Sequence, residues 1–197
     1  MPTVAGLGNV GHEYCGTRHN VGFAVVRELA NRWRLRWIDS GAAWTASRSF
    51  PDHTVVLVQP RLLMNRSGEA LLELDVAHDA CNLIVVHDEI DLPHGCVRVK
   101  VGGGTAGHRG VASIAAHYGS EFTRIRVGVG RPTPGADVAE YVLERFGSEE
   151  ETVIAEAIRS AADAVECVLE RGLQAAMQRF NTRQAEPEAP AQASVKG

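Results

Sequence analysis

Residues 6–23 read GLGNVGHEYCGTRHNVGF, and the parsing of this stretch decides the fold. Its first six residues, Gly6 to Gly11, satisfy G-x-G-x-x-G, the phosphate-binding fingerprint of dinucleotide-binding domains. That fingerprint needs a helix opening at the loop, so that the helix N-terminus can hold a pyrophosphate. Here HEYCGTRH intervenes before helical spacing begins in Val21, Ala24, Val25, Leu29 and Trp33. The acidic residue that would meet a ribose should follow about 20 residues on, and the candidate Asp39 lies well past that point. The glycines therefore read as a tight exit from a strand over TVAGLG (3–8) that leaves Asn9 exposed. Asn20 is a plausible N-cap for the helix that follows.

Outward from this stretch, strands and helices alternate. Trp44–Phe50 and Thr54–Val58 flank Pro51-Asp52-His53 and predict a hairpin. A helix is predicted from Asn65 to near His78–Ala80, and the apolar run Leu83–Val86 predicts a fully covered strand. Val97–Val101 alternates apolar with basic residues, as a half-exposed strand does. Gly102-Gly103-Gly104 breaks it, His108–His117 can form a short helix, and Ile125–Val129 is another strand. Ser148-Glu149-Glu150-Glu151 has the form of a capping box opening a long helix that Gly172 closes. The pattern implies an α/β fold: a single domain over 1–181, with a twisted mixed sheet and helices on both faces. The segment QAEPEAPAQASVKG lacks hydrophobic anchors, so 182–197 is expected to be a disordered tail.

Composition bounds the function. The 197 residues are 45% hydrophobic and 22% charged, as in an ordinary soluble protein. No apolar run approaches the roughly 18 residues of a membrane span, and MPTVAGLGN lacks the basic and apolar regions of a secretory signal. Cys15, Cys81, Cys96 and Cys167 form no C-x-x-C pair, so reduced thiols in a cytoplasm are expected and a structural zinc is not. A net charge of −4 argues against a chain coated in positive charge, without excluding a local basic patch.

Three segments place polar groups beyond strands or at helix starts: Asn9 with Thr17-Arg18-His19-Asn20, Met64-Asn65-Arg66-Ser67-Gly68, and His87-Asp88-Glu89-Ile90-Asp91-Leu92-Pro93. Sites in open α/β sheets lie outside the carboxyl ends of strands, so the three segments can share one crevice. A histidine at a helix N-terminus is disfavoured as a cation, which suits a general base, and Asp91 or Asp88 could orient it. No serine sits in G-x-S-x-G, so water is the natural nucleophile. Asn9 and Asn65 could hold a carbonyl or that water. A divalent metal at HDEID with His87 and His94 is the weaker alternative, because these groups fall at no recognised ligand spacing.

Taken together, GLGNVGHEYCGTRHNVGF, LLMNRSG, HDEIDLPHG, KVGGGTAGHRGVASI and RIRVGVGRP resemble the bacterial peptidyl-tRNA hydrolase family, and DVAEYVLERFGSEE is similar to its C-terminal portion. The resemblance implies a cofactor-free, metal-free, monomeric esterase that splits the ester of peptidyl-tRNA. By resemblance, His19 is the catalytic base and Asp91 the carboxylate that holds it. Asn9 discriminates blocked from free aminoacyl ends, and Tyr14, Leu63, Asn65 and Arg109 fall at positions binding the acceptor end and peptide. Arg98, Lys100 and Arg126 fall where basic residues face tRNA phosphate.

Two positions depart from the family's pattern. Arg109 replaces the asparagine of the usual G-H-N-G, and Leu63 stands where an aromatic is common. An arginine cannot accept a hydrogen bond, so two outcomes are carried forward, an active esterase and a non-catalytic tRNA- or RNA-binding relative.

Overall fold

Buried runs of β-branched and aliphatic residues set the central strands, while the short edge strand β2 is exposed; the strands among the described residues are β1 (Thr3–Gly6), β2 (Ile38–Asp39), β3 (Ala43–Ser49), β4 (Thr54–Pro60), β5 (Leu83–Glu89), β6 (Val97–Val101) and β7 (Thr123–Gly128). β1 and β5 are buried at every position, as strands covered on both faces must be. The computed structural model describes residues 1–75 and 79–181. Its strands form one mixed sheet in the order β2-β3-β4-β1-β5-β7-β6. The central strands β4, β1, β5 and β7 are mutually parallel, while β2, β3 and β6 add antiparallel edges.

Among the described residues there are six α-helices, most of them packed on the sheet: α1 (Val21–Arg32), α2 (Ser67–Glu73), α3 (Arg109–Tyr118), α4 (Val138–Leu143), α5 (Glu151–Arg171) and α6 (Leu173–Phe180). One face packs Val25 and Leu29 of α1 with Ile154, Ala161 and Val165 of α5 against Val4, Val86 and Ile125. The other packs Leu71 of α2 with Val111 and Ile114 of α3 against Ala5, Val58 and Val85. The chain leaves β1 through α1 toward β2–β4, then crosses through α2 to β5 on the other side of β1. This reversal is the switch point where open α/β sheets leave a crevice, at the carboxyl ends of β1 and β5.

The glycines of the opening stretch serve packing. A Cβ on Gly6 would lie 2.3 Å from the Gly22 carbonyl oxygen, and one on Gly22 would lie 2.4 Å from the backbone at Leu7 and Val86. Both positions must be glycine for α1 to dock against β1 and β5, since real Cβ atoms do not approach so closely. The amide of Phe23 donates to the Leu7 carbonyl at 3.1 Å and closes the junction. Asp39, on β2, is separated from β1 by two strands and pairs with Arg61 at 2.6 Å, so the dinucleotide reading has no ribose partner.

The fold class and the hairpin match expectation, and several details differ. β5 runs three residues past its apolar stretch, because His87, Asp88 and Glu89 pair with Arg126, Val127 and Gly128 of β7. Asn20 occupies the N-cap position of α1 without a capping hydrogen bond. The Ser148 capping box does not form: α5 begins at Glu151, and the Glu150 carboxylate instead accepts from Gly147 N and Arg18. α2 is shorter than predicted and follows a 3-10 turn over Met64–Arg66. Residues 76–78 and the expected disordered tail, 182–197, lie outside the described residues.

Candidate active site

The crevice is a cavity of about 680 Å³ lined by Asn9, His19, Asn65, Asp88, His108 and Arg109 among others, with an apolar wall from Leu63, Val138 and Leu143. Each residue of Thr17-Arg18-His19-Asn20 has a separate task in building it. Thr17 Oγ1 donates to the Tyr14 carbonyl at 2.9 Å and closes the turn. Arg18, 7% exposed, stacks on Tyr141 and donates to Glu150 at 2.8 Å and to the Arg145 carbonyl at 3.2 Å. It thereby ties the segment after α4 to the His19 turn. The Asn20 carboxamide accepts from Asn9 N at 2.8 Å and donates to the Asn9 carbonyl at 2.9 Å. Both Asn9 backbone groups are engaged, and its side chain is left to the cavity.

His19 meets a carboxylate through Nδ1, which lies 2.9 Å from Asp88 Oδ1. The expected partner, Asp91, is elsewhere: its carboxylate is half exposed and takes a short hydrogen bond from Arg131. The physical reason is the strand end. Asp88 is the penultimate residue of β5 and faces the crevice, whereas Asp91 falls in the turn beyond, where its amide donates to Glu89.

Asp88 has a second partner that sequence reasoning missed. His108 Nε2 lies 2.9 Å from the same Oδ1. As the N-cap of α3, His108 accepts at Nδ1 from the amides of Gly110 and Val111. A ring that accepts at Nδ1 carries its proton on Nε2, so the helix cap sets His108 as a donor to Asp88. Burial alone would push the Asp88 carboxyl up. Hydrogen bonds from His108 and His19, and their positive charge whenever the rings are protonated, outweigh that and hold it well below the usual carboxylate range. With Asp88 ionised and accepting from Nδ1–H, His19 keeps a lone pair on Nε2 for chemistry.

His87 lies behind this array. Its Nδ1 donates to the Asp88 carbonyl at 2.7 Å, its ring meets His108 edge-on, and its Nε2 is buried without a partner. Burial first, then the nearby His108 and Arg124, pushes it down to about 3, so His87 is a neutral structural histidine. The metal alternative at His87 and His94 is not assembled, since His94 packs instead against Phe146 near Glu150. Among the described residues, His19, Asp88 and His108 form the one group with metal-ligand chemistry. Both nitrogens sit at 2.9 Å from one oxygen, which is hydrogen-bond spacing; tetrahedral zinc would set ligand atoms about 3.3 Å apart.

Of the remaining predicted residues, Leu63, Asn65 and Arg109 line the cavity and Tyr14 does not. Arg98, Lys100 and Arg126 share a face of the antiparallel pair β6–β7 with Arg124, in register Arg98↔Arg126 and Lys100↔Arg124. Arg98 spends one nitrogen on the Val97 and Phe180 carbonyls, and Arg126 Nε donates to Glu89 at 3.0 Å. Burial and the neighbouring arginines lower the Lys100 ammonium. Arg124 is buried and clamps the carbonyls of Gly103 and Gly104 at 2.7 Å each, anchoring the loop that leads to His108.

A three-layer α/β protein with a hydrogen-bonded histidine–carboxylate pair in a cavity at the switch point of its sheet is the class that fold and site define. Comparison with known proteins narrows it. A family model described as peptidyl-tRNA hydrolase matches residues 3–188. The chain is 51% identical to a peptidyl-tRNA hydrolase of Rubrobacter xylanophilus over 90% of this chain and 99% of that one. It is 46% identical to a peptidyl-tRNA hydrolase of Geobacillus thermodenitrificans over 84% of this chain and 91% of the relative. The crystal structure of peptidyl-tRNA hydrolase from Acinetobacter baumannii superposes with a TM-score of 0.86 at 32% identity, covering 92% of this chain and 95% of that one. The chain belongs to the peptidyl-tRNA hydrolase family.

Proposed function

We propose that this protein hydrolyses the ester between a peptide and the 3′-terminal ribose of tRNA, with His19 as general base and Asp88 as the carboxylate that orients it. The observation that carries this reading is the 2.9 Å contact between His19 Nδ1 and Asp88 at the floor of the cavity. His19 Nε2 takes a proton from water, whose oxygen adds to the ester carbonyl. Collapse of the tetrahedral intermediate breaks the bond to the ribose oxygen, which takes the proton back from His19. Asp88 stabilises the transient imidazolium without itself being protonated. Asn9 and Asn65 supply uncharged donors and acceptors for the carbonyl, the water and the blocked amino group. The apolar wall accepts peptide side chains, and the cationic face of β6–β7 accepts tRNA phosphate.

No helix among the described residues is long and apolar enough to cross a membrane, and we take the protein to act in the cytoplasm as a monomer. Arg109 is the one residue that speaks for the rival reading, a non-catalytic tRNA- or RNA-binding relative. The intact His19–Asp88–His108 array favours the enzyme. Incubation with N-acetyl-aminoacyl-tRNA should release the N-acetyl-amino acid, unaffected by EDTA, and His19→Ala should lower turnover by roughly 10²–10⁴ while tRNA binding persists. Binding of tRNA by the wild-type protein without release would establish the rival.

A further inference from the structure

Arg109 opens α3 directly after His108. The ring of His108 is pinned to Asp88 on one edge and to the α3 amides on the other, so the Arg109 backbone is fixed at the wall of the site. Its side chain is exposed and lines the cavity. Among the cavity's lining residues, Arg109 is the only arginine or lysine. The nearby carboxylates are already engaged: Asp88 by two histidines, Glu89 by Arg126 and the Asp91 amide, and Asp137 by the Ala139 amide. No hydrogen bond or ion pair to the Arg109 guanidinium is found among the described residues. By contrast, Arg18, Arg124 and Arg126 are all held.

A free guanidinium in an open cleft can serve an anion in two ways. An oxyanion donor must be held in place before the reaction, because the benefit comes from avoiding reorganisation in the transition state. None of the described residues holds the Arg109 guanidinium. A ground-state anion contact has no such requirement, and a planar guanidinium suits bidentate binding of a phosphate. The substrate's reacting end narrows the choice of anion. The peptide's carboxyl is masked in the ester, so the one fixed negative group beside the reacting bond is the phosphodiester 5′ to the terminal nucleoside.

We propose that Arg109 is a specificity-determining residue whose guanidinium grips this phosphodiester, so that the enzyme prefers a nucleotide end to a bare nucleoside ester. The proposal rests on the peptidyl-tRNA reading and names the group that reading leaves without a partner in the cleft. A carboxamide at this position could offer hydrogen bonds but no charge.

The test compares wild type, Arg109→Ala and Arg109→Asn in two assays, after thermal unfolding confirms that the exposed substitution leaves folding intact. In the first, adenosine and adenosine 5′-methylphosphate are titrated against each protein at low salt. The wild type should bind the phosphodiester about five- to tenfold more tightly, within the range of one net hydrogen-bonded contact in an exposed cleft, and both variants should lose that preference. In the second, KM for N-acetyl-aminoacyl-tRNA should rise by a similar factor with kcat within about twofold, and the salt slope should fall by about 0.7–0.9. Equal wild-type binding of the two probes, a preference retained in Arg109→Ala, or a loss confined to kcat would overturn the proposal. Absence of hydrolysis by the wild type would sink the enzymatic reading alone, because the probe preference still reports on Arg109.

Discussion

Asp88 and Asp91 stand three residues apart in one acidic segment, and the structure gives them opposite environments. Asp88 is the penultimate residue of a central strand, is 4% exposed, and accepts from two histidines. Asp91 sits in the following turn, in solvent, against the exposed Arg131. Which carboxylate meets His19 is decided by the length of a strand. Pairing with β7 carries β5 through Asp88, and the turn removes Asp91 from the crevice.

The largest effect that follows is on Asp88→Asn. Both rings meet the same oxygen, so a carboxamide there can still accept from one or both, but it carries no charge to stabilise the His19 imidazolium. We expect kcat to fall by roughly 10²–10⁴ with tRNA binding retained, and steady-state kinetics beside a filter-binding assay will check it. Second comes His108→Ser, which keeps a capping side chain for α3 but loses the donor to Asp88. Misplacement of a catalytic group costs up to about a hundredfold, so kcat should drop between tenfold and a hundredfold while the melting temperature stays near wild type.

A third effect is on stability. His87 is held neutral down to about pH 3 in the folded state, whereas in the unfolded chain a histidine takes its proton near 6.5. Between these values the unfolded state binds more protons, so stability falls as pH is lowered from about 6.5. The depressed Asp88 carboxyl acts in a lower window: its contribution is present above the unfolded value near 4 and is lost only in stronger acid. Urea midpoints at pH 7 and pH 5 should therefore separate in wild type and draw together in His87→Asn. The smallest effect is on Asp91→Asn, for which kcat/KM should remain within about twofold. A loss there comparable with Asp88→Asn would reverse the assignment.

Much of this architecture is legible in the residue pattern, because local signals and burial agree. The apolar run Leu83–Val86 announces a covered strand, and the eight residues between Gly11 and Asn20 rule out a phosphate loop. His19 is legible as a histidine at a helix start. The end of β5 is not, because His87-Asp88-Glu89 looks like a polar loop until its partners are known, and those partners are remote: His19, His108 and Arg126. His108 is visible only as a helix-start residue, with no local sign of its tie to Asp88. The capping box at Ser148 fails for a similar reason. Arg18, far away in sequence, engages the Glu150 carboxylate, and α5 opens later than the local pattern suggests.

The central claim is that one buried carboxylate fixes two histidines in opposite tautomers and leaves His19 Nε2 free. Two-bond ¹H–¹⁵N correlation spectra of the imidazole rings, recorded with single-site variants for assignment, read this directly. His19 should be protonated on Nδ1 and His108 on Nε2, with the ring signals shifted by Asp88→Asn, which removes the charge both rings share, and unchanged by Asp91→Asn. His19 protonated on Nε2 in the wild type, or ring signals that respond to Asp91→Asn and ignore Asp88→Asn, would contradict it.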